Sequence, residues 1–439
     1  MSVRPPVHRG VTVLAVGFGV LTVAATARYL QQHGGWDLRA ARPELMGLVL
    51  LLLGTVLALA VALLRPSPSN PQGARRTAIV WSLALLAALL VTWSVIIGGD
   101  RWTPQIGTPL TSAQDVAAFS AAHPTSVARY TYQVPTGVFL QSFQFLDAHD
   151  VQISGYVWQF YDAEIPDTVT RGVVFPEALG EAYVTQEAWR FADDAGERIG
   201  WYFSGTFRQD FDYRFYPFDR QAVWLRLWHP DPQREVLLVP DFAAYPDLTP
   251  AALPGIEQGF VYEGWDPLGA GFSDNLVSYS TNFGLPDQLS ATPGLINLYF
   301  SLWVARDFLG PLLEHLVLEA AVAALLFVLL VLTARDGTEP GSRGISMFEL
   351  TAAAAGLLFA IILDHNSLRD ATGSQAVTYL EWVPLLLAGV IVLVVLSAVR
   401  HQVRPLPRLG EAGDLVLVLA YWPTLLGALL AVTLFVFFA

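Results

Sequence analysis

The chain has 439 residues, of which 54% are hydrophobic and 14% are charged, and its mean hydropathy is +0.45. Soluble domains carry about 25% charged residues, so this composition indicates an integral membrane protein. The chain contains no cysteine, which excludes disulfides and thiolate metal sites.

Seven apolar stretches reach the length of about 18–20 residues that a bilayer-crossing helix needs. They lie at residues 11–30, 45–64, 77–97, 308–333, 346–364, 378–399 and 414–438. The first resembles a signal peptide, but two further spans follow and no small-residue cleavage site precedes Gln31, so we interpret it as an anchor. The sequence therefore predicts three transmembrane helices in residues 1–100 and four in residues 307–439.

The placement of arginine predicts the orientation of these spans. Arginines concentrate in alternate connections, and cytoplasmic loops are the ones that are normally rich in positive charge. The arginine-rich segments are 1–10, 65–76, 334–345 and 400–413. We therefore expect a multi-pass protein of the inner (plasma) membrane, with a cytoplasmic N-terminus and with residues 101–306 and the C-terminus extracytoplasmic.

Residues 101–306 are predicted to form a β-sandwich, because short alternating or β-branched runs are separated by turn residues. The predicted strands are Tyr130–Phe145, Val151–Phe160, Gly200–Phe207, Ala222–Trp228 and Leu295–Val304, and Ser112–Ala122 is a predicted short helix. This segment carries the whole net charge of −13, which argues against a nucleic-acid partner. Attraction for cationic ligands and simple solubility are both open explanations of that charge.

The sequence shows no pattern that is typical of an enzyme. Its eight histidines have no metal-ligand spacing, and no nucleophile motif or phosphate-binding glycine loop is present. We therefore predict no catalytic residue, no cofactor and no metal site.

One motif is specific, the run Phe215-Tyr216-Pro217-Phe218-Asp219-Arg220-Gln221. Taken alone, it is a proline turn between strands with Asp219 bonded to nearby backbone. It resembles the F/Y-P-F-D-x-Q signature of the pentameric ligand-gated ion channels, the Cys-loop receptor superfamily, whose bacterial members lack the flanking cysteines. The resemblance implies that Asp219 pairs with Arg306, the arginine before the first channel helix. The coupling residues that it implies are Tyr216, Pro217, Phe218, Asp219, Gln221 and Arg306.

Further segments match this family in the same order over residues 130–439. They are Pro135–Leu140, Ser154–Asp162, Gly264-Trp265, Thr281–Gly284, Asn297–Val304 and Thr378–Glu381. The resemblance implies a membrane α+β fold with an extracytoplasmic immunoglobulin-like β-sandwich in residues 101–306, followed by a four-helix transmembrane channel-like domain. Residues 1–100 are an addition to the family pattern. The implied function is a homopentameric ion channel gated by a small-molecule ligand or by protons, and the alternative is a non-conducting sensor of the same fold.

Ligands in this family bind between subunits against aromatic side chains, which attract cations and apolar groups. The candidates here are Trp158, Phe160, Trp189, Trp228 and Phe283, and ordinary packing in the sandwich is the alternative for each.

The resemblance also implies a pore lined by the second helix of the domain. Counting back from Asp364 as its outer end predicts a stripe of Met347, Thr351, Ala354, Leu358 and Ile361. Arg343 is expected at the inner mouth, where it would favour anions. The surrounding sequence is mostly alanine rather than the usual small polar residues, which favours the sensor.

The fourth span contains three ionisable residues, Glu314, His315 and Glu319. His315 and Glu319 lie four residues apart and therefore on one helix face. An ionisable pair in the bilayer is costly and indicates a functional site, here for protons or ions, with a structural polar pair as the alternative.

Overall fold

A computed structural model describes residues 20, 23–24, 27–28, 71–99, 104–230, 236–281, 294–335, 347–373, 376–403 and 410–438. These residues divide into two compact units. The β unit lies within Asp100–Asp212 and Phe218–Asp307. The helical unit lies within Met1–Gly99, Tyr213–Pro217 and Phe308–Ala439.

The helices are short in the β unit and long in the helical unit. They are α1 (Pro71–Gly98), α2 (Ala113–Ala122), α3 (Pro124–Val127), α4 (Leu309–Arg335), α5 (Met347–Thr372), α6 (Trp382–Val403) and α7 (Gly410–Phe438). The strands are β1 (Thr108–Leu110), β2 (Tyr132–Phe145), β3 (Asp150–Asp162), β4 (Ala178–Asp193), β5 (Gly196–Arg208), β6 (Arg220–Leu227), β7 (Val236–Pro240), β8 (Trp265–Val277) and β9 (Leu295–Arg306).

Four described helices are long and apolar enough to cross a membrane. The apolar segments are Gln72–Gly98, Leu309–Thr333, Phe348–Thr372 and Val416–Phe438, and Trp382–Leu396 of α6 is a shorter apolar segment. The chain is therefore a membrane-embedded α+β protein. Apart from a few helical residues between 20 and 28, the predicted spans 11–30 and 45–64 lie outside the described residues.

Helices α4 to α7 share one apolar core. Val322 and Leu326 of α4, Ile361 of α5, Ile391 of α6 and Tyr421 of α7 belong to it. Helix α1 packs separately along α7. Apolar side chains turned inward, with further apolar side chains exposed outward, are the arrangement expected of helices in lipid.

Helix α5 is longer than the sequence predicts. It continues past Asp364 to Thr372, and Gly373 follows with a φ of +53°. A left-handed glycine is a common helix stop, and the Gly373 N–H donates to the Arg369 carbonyl at 2.9 Å. Asp364 is therefore an interior residue of the helix and not its outer end.

The β unit contains two sheets. One has the order β4-β5-β3-β2-β7 and the other the order β1-β8-β9-β6. The described neighbours are antiparallel except β2 and β7, which run parallel. In β3, alternate residues such as Val151, Ile153 and Val157 are fully buried, as expected for a strand with one face in a core.

The five predicted strands and the predicted helix are confirmed within a few residues at each end. Strands β1, β4, β7 and β8 were missed, apart from the Gly264-Trp265 match at the start of β8. Strand β4 is mostly exposed and rich in polar residues, and β7 is a short, fully buried run that its length alone does not separate from a loop.

Candidate coupling, ligand and intramembrane sites

Asp219 and Arg306 form a bidentate ion pair. The Arg306 Nε donates to Asp219 Oδ1 at 2.7 Å, and its Nη2 donates to Asp219 Oδ2 at 3.0 Å. The Asp219 side chain is fully buried, and that of Arg306 is 17% exposed. The backbone N–H of Arg306 also donates to the Asp219 carbonyl at 3.1 Å. The ion pair has the partners that the resemblance implies.

Neighbouring groups hold both members of the pair in place. Gln221 donates from Nε2 to Asp219 Oδ2 at 2.8 Å. Its side-chain amide also donates to the Asp212 carbonyl and accepts from the Asp212 N–H. The Arg306 guanidinium lies 4.2 Å from the centre of the Trp265 ring. A planar guanidinium that stacks on a ring while it binds a carboxylate in two places has little freedom to move.

The segment Tyr213–Pro217, which ends two residues before Asp219, belongs to the helical unit. In the segment Tyr213–Pro217, the carbonyl of Arg214 accepts from the Tyr379 N–H at 2.9 Å, and that of Tyr216 accepts from the Leu380 N–H at 3.2 Å. The unit boundary therefore falls inside the motif, between Pro217 and Phe218. The Tyr216–Pro217 peptide bond is cis.

Two of the predicted ligand-site tryptophans lie on one rung of the five-stranded sheet. Trp158 pairs with Gly137 and Gly200, and Trp189 also pairs with Gly200. Each indole lies over the glycine beside it, at a place that a Cβ atom would fill. The Trp158 Nε1 donates to Asp241 Oδ2 at 3.0 Å.

The third candidate on this face is Phe160. It lies two residues along β3 from Trp158, on the same half-exposed face, and the Arg198 guanidinium is 4.8 Å from its ring centre. The structure thus brings Trp158, Phe160 and Trp189 together as an aromatic face. Phe283 lies outside the described residues.

Trp228 belongs to a different group, which we name the Arg226 cluster: Glu177, Arg226, Trp228, Tyr279 and Asn297. Arg226 donates to the Glu177 carboxylate and, at 3.3 Å, to the Tyr279 hydroxyl. Its guanidinium lies 5.1 Å from the centre of the Trp228 ring, and Asn297 also donates to the Tyr279 hydroxyl, at 3.0 Å. Burial raises the pKa of the Glu177 carboxyl, and the charge of Arg226 opposes that effect.

Sequence reasoning missed Glu177, Arg226 and Tyr279 as members of a site. Arg226 and Trp228 stand two residues apart on one strand, which places them on one face and is a usable signal. The partners Glu177 and Tyr279 are each about 50 residues away, and no local pattern points to them.

The predicted pore stripe needs correction. Ala354 and Ile361 are only 4% and 2% exposed and belong to the core shared with α4 and α6. They do not lie on the free face of α5. Thr351 is exposed, Leu358 packs against the same core, and the side chain of Met347 and all of Arg343 lie outside the described residues.

The free face of α5 is set by the residues opposite this core. At spacings of three or four, its exposed side chains are Ala352, Ala355, Phe359, Leu363 and Asn366. This face differs in rotation from the predicted stripe, which was counted back from Asp364 as the end of the helix. An alanine-rich helix has almost no amphipathic pattern from which to predict its rotation.

The intramembrane group combines two helices. His315 of α4 donates from Nδ1 to Asp364 Oδ1 of α5 at 2.7 Å, and both residues are buried. Glu319 is 1% exposed, and neither of its carboxylate oxygens has a hydrogen-bond partner among the described residues. Glu314, on the same helix, is exposed. Sequence reasoning found His315 and Glu319 and missed Asp364 as their neighbour.

The fold and these groups define a membrane-embedded α+β protein with a two-sheet domain, an apolar helical domain and a buried ion pair in the proline motif. No protein-family model matches the chain, and no curated protein matches it.

Proposed function

We propose that this chain is a subunit of a homopentameric ligand-gated ion channel of the Cys-loop superfamily, bacterial type. In this proposal the β unit is an extracytoplasmic immunoglobulin-like sandwich, α4 to α7 are the channel helices, and three transmembrane helices in residues 1–100 precede them. The orientation is the one that the arginines predict. The protein is not an enzyme in this proposal.

The observation that supports it most is the Asp219–Arg306 pair. Asp219 lies two residues after the segment Tyr213–Pro217, whose backbone is bonded to Tyr379 and Leu380 of the helical unit. Arg306 ends β9, three residues before α4 begins. The pair thus joins the chain just after the segment Tyr213–Pro217 to the chain just before α4. A rigid, buried link of this kind is what a protein needs if a change in a β domain is to reach its membrane helices.

We place the ligand on the aromatic face and the Arg226 cluster. The rings of Trp158, Phe160, Trp189 and Trp228 offer surfaces for cations and apolar groups. In the Arg226 cluster a guanidinium is partly exposed and already holds one carboxylate, so an anionic group of a ligand can compete with Glu177 for it. The ligand class in this proposal is a small amphipathic molecule with one charged group.

The pore in this proposal is lined by Ala352, Ala355, Phe359, Leu363 and Asn366. Phe359 is 63% exposed and Leu363 is 53% exposed in the single chain. Rings of such residues form an apolar constriction that stops ions by excluding water. The gate is therefore placed near Phe359.

The same face supports the second candidate, a non-conducting sensor. Between Ala352 and Leu363 the exposed side chains of α5 are all apolar. A pore of this kind has no polar ring to replace the hydration of an ion over that length. A sensor with this fold would pass a signal through its helices or to a partner protein.

The test begins with electron microscopy of the purified full chain, in which five-fold particles are expected. Currents in planar bilayers are then recorded over a range of pH values and with cationic and anionic aromatic ligands. Gated current that becomes a constant leak in Phe359→Ser supports the channel. Five-fold particles that pass no current in either form support the sensor, and particles without five-fold symmetry contradict both.

A further inference from the structure

Helix α1 runs parallel to α7 and lies close to it. At the start of α1, Ala74 and Ala78 pack against Leu419 and Ala420 of α7. Small side chains allow two helix backbones to approach closely in a membrane. Trp93, nineteen residues after Ala74 on α1, is linked to Thr433 of α7 through the hydroxyl of Tyr379.

A chain of hydrogen bonds starts at Trp93. Its Nε1–H donates to the Tyr379 hydroxyl at 2.8 Å. The Thr433 hydroxyl donates to the Leu429 carbonyl at 2.8 Å, so the bond of 2.8 Å between Tyr379 and Thr433 has Tyr379 as its donor. The Tyr379 hydroxyl thus both accepts and donates. Tyr379 is 1% exposed and Thr433 is 0% exposed, so the chain is shielded from water.

The same Tyr379 holds the segment Tyr213–Pro217 through its backbone. Tyr379 and Leu380 donate their N–H groups to this segment, as described above. The ring of Phe437 in α7 packs against both residues: its centre lies 5.1 Å from the centre of the Tyr379 ring and 5.2 Å from that of Phe215 in the segment. Tyr379 therefore links Trp93 to the segment Tyr213–Pro217.

We infer that α1 is a positioning element for the segment Tyr213–Pro217, and that Trp93 is the residue through which it acts. Losing the indole N–H removes a hydrogen bond from the buried Tyr379 hydroxyl. That loss loosens Tyr379, which together with Leu380 holds the segment through backbone N–H groups. Helix α1 thereby influences the position of the proposed coupling segment Tyr213–Pro217. The consequence for gating rests on the proposed function, but the positioning itself does not.

Hydrogen exchange of the full chain in lipid nanodiscs tests the positioning directly. Trp93→Phe keeps an aromatic ring and removes the donor, and Trp81→Phe is the matched control, because Trp81 lies on α1 with 46% of its surface exposed. We expect the amides of Tyr379 and Leu380 to exchange about fivefold faster in Trp93→Phe, the factor for one buried hydrogen bond. Exchange in Trp81→Phe and at Val157 in the β unit should not change.

A second variant separates positioning from a general loss of stability. Tyr379→Phe removes the central hydroxyl and should accelerate the same two amides, and adding Trp93→Phe to it should have no further effect. Unchanged exchange in Trp93→Phe, or an equal acceleration throughout the chain, overturns the inference. If the protein conducts, the ligand or proton concentration for half-maximal response should shift about fivefold in Trp93→Phe alone. A protein that never conducts contradicts the channel proposal and leaves the exchange result to decide the inference.

Discussion

Breaking the Asp219–Arg306 pair should cost far more than breaking an exposed pair of the same shape. In Asp219→Asn, an NH2 group replaces one carboxylate oxygen. The Arg306 guanidinium then loses its counter-charge, although the Arg306 side chain is only 17% exposed to water. Removing one member of a buried pair costs about 3–5 kcal/mol, because the remaining charge is poorly solvated. For a unit of this size that corresponds to a fall in the melting temperature of about 6–20 °C.

The chain supplies a matched control for this prediction. Arg208 binds Asp150 with the same two-bond geometry, at 2.7 Å from both Nε and Nη2, but its side chain is 63% exposed. The bonds from Arg208 hold the pKa of the Asp150 carboxyl below its usual value. Asp150→Asn leaves an arginine that water solvates, so this variant should cost about 1 kcal/mol or less.

The assay is thermal unfolding of the full chain in detergent, with the variants Asp219→Asn, Arg306→Gln and their combination. If the two side chains act as a pair, the combined variant should lose at most about 1 kcal/mol more stability than the worse single variant. Additive losses, or a loss in Asp219→Asn no larger than the loss in Asp150→Asn, would refute the reasoning.

The remaining predictions concern pH, the pore and orientation. Burial raises the pKa of the Asp274 carboxyl from 3.8 to about 7. The folded protein therefore holds a proton that the unfolded chain releases. Its free energy of unfolding consequently falls as pH rises from about 4 to 7, by about 4 kcal/mol in total. Asp274→Asn should raise the melting temperature at pH 8 but not at pH 4, while the exposed Asp266→Asn on the same strand should do neither. If α5 lines a pore through its free face, Phe359→Ser should increase leak and the core substitution Ala354→Ser should not, and the opposite pattern would restore the stripe predicted from sequence. A cysteine at position 194 should react with a membrane-impermeant thiol reagent in intact cells and one at position 70 should not; the reverse labelling would contradict the arginine argument.

The coupling motif shows how far sequence reasoning reached. The proline turn, the identity of Asp219 and the partner Arg306 were all expected, and the ion pair has the expected partners. The role of the pair in coupling stays a prediction. The expectation came from the family resemblance, which implies this pair, and not from the pattern of the strands. In the structure Asp219 directly precedes β6, and Arg306 ends β9.

Helix α5 shows where sequence reasoning stopped. A lipid-facing side chain and a core side chain are both apolar, so a membrane helix has no contrast between its faces from which to predict its rotation. The predicted stripe consequently included Ala354 and Ile361, which the structure places in the core. Asp364 was taken as the outer end of the helix because of the family resemblance, and its partner His315 lies on a different helix, 49 residues away.

The sequence by itself determined the membrane class, the long apolar helices among the described residues, most strands of the β unit and the place of the motif. These properties depend on runs and alternations of neighbouring residues, which are visible along the chain. The tertiary structure alone decided which face of α5 is free, that Arg226 meets Glu177 and Tyr279, and that Trp93 donates to Tyr379. Those contacts join residues about 50 to 286 positions apart, and their partners are selected by the register and rotation of packed elements, which no local pattern specifies.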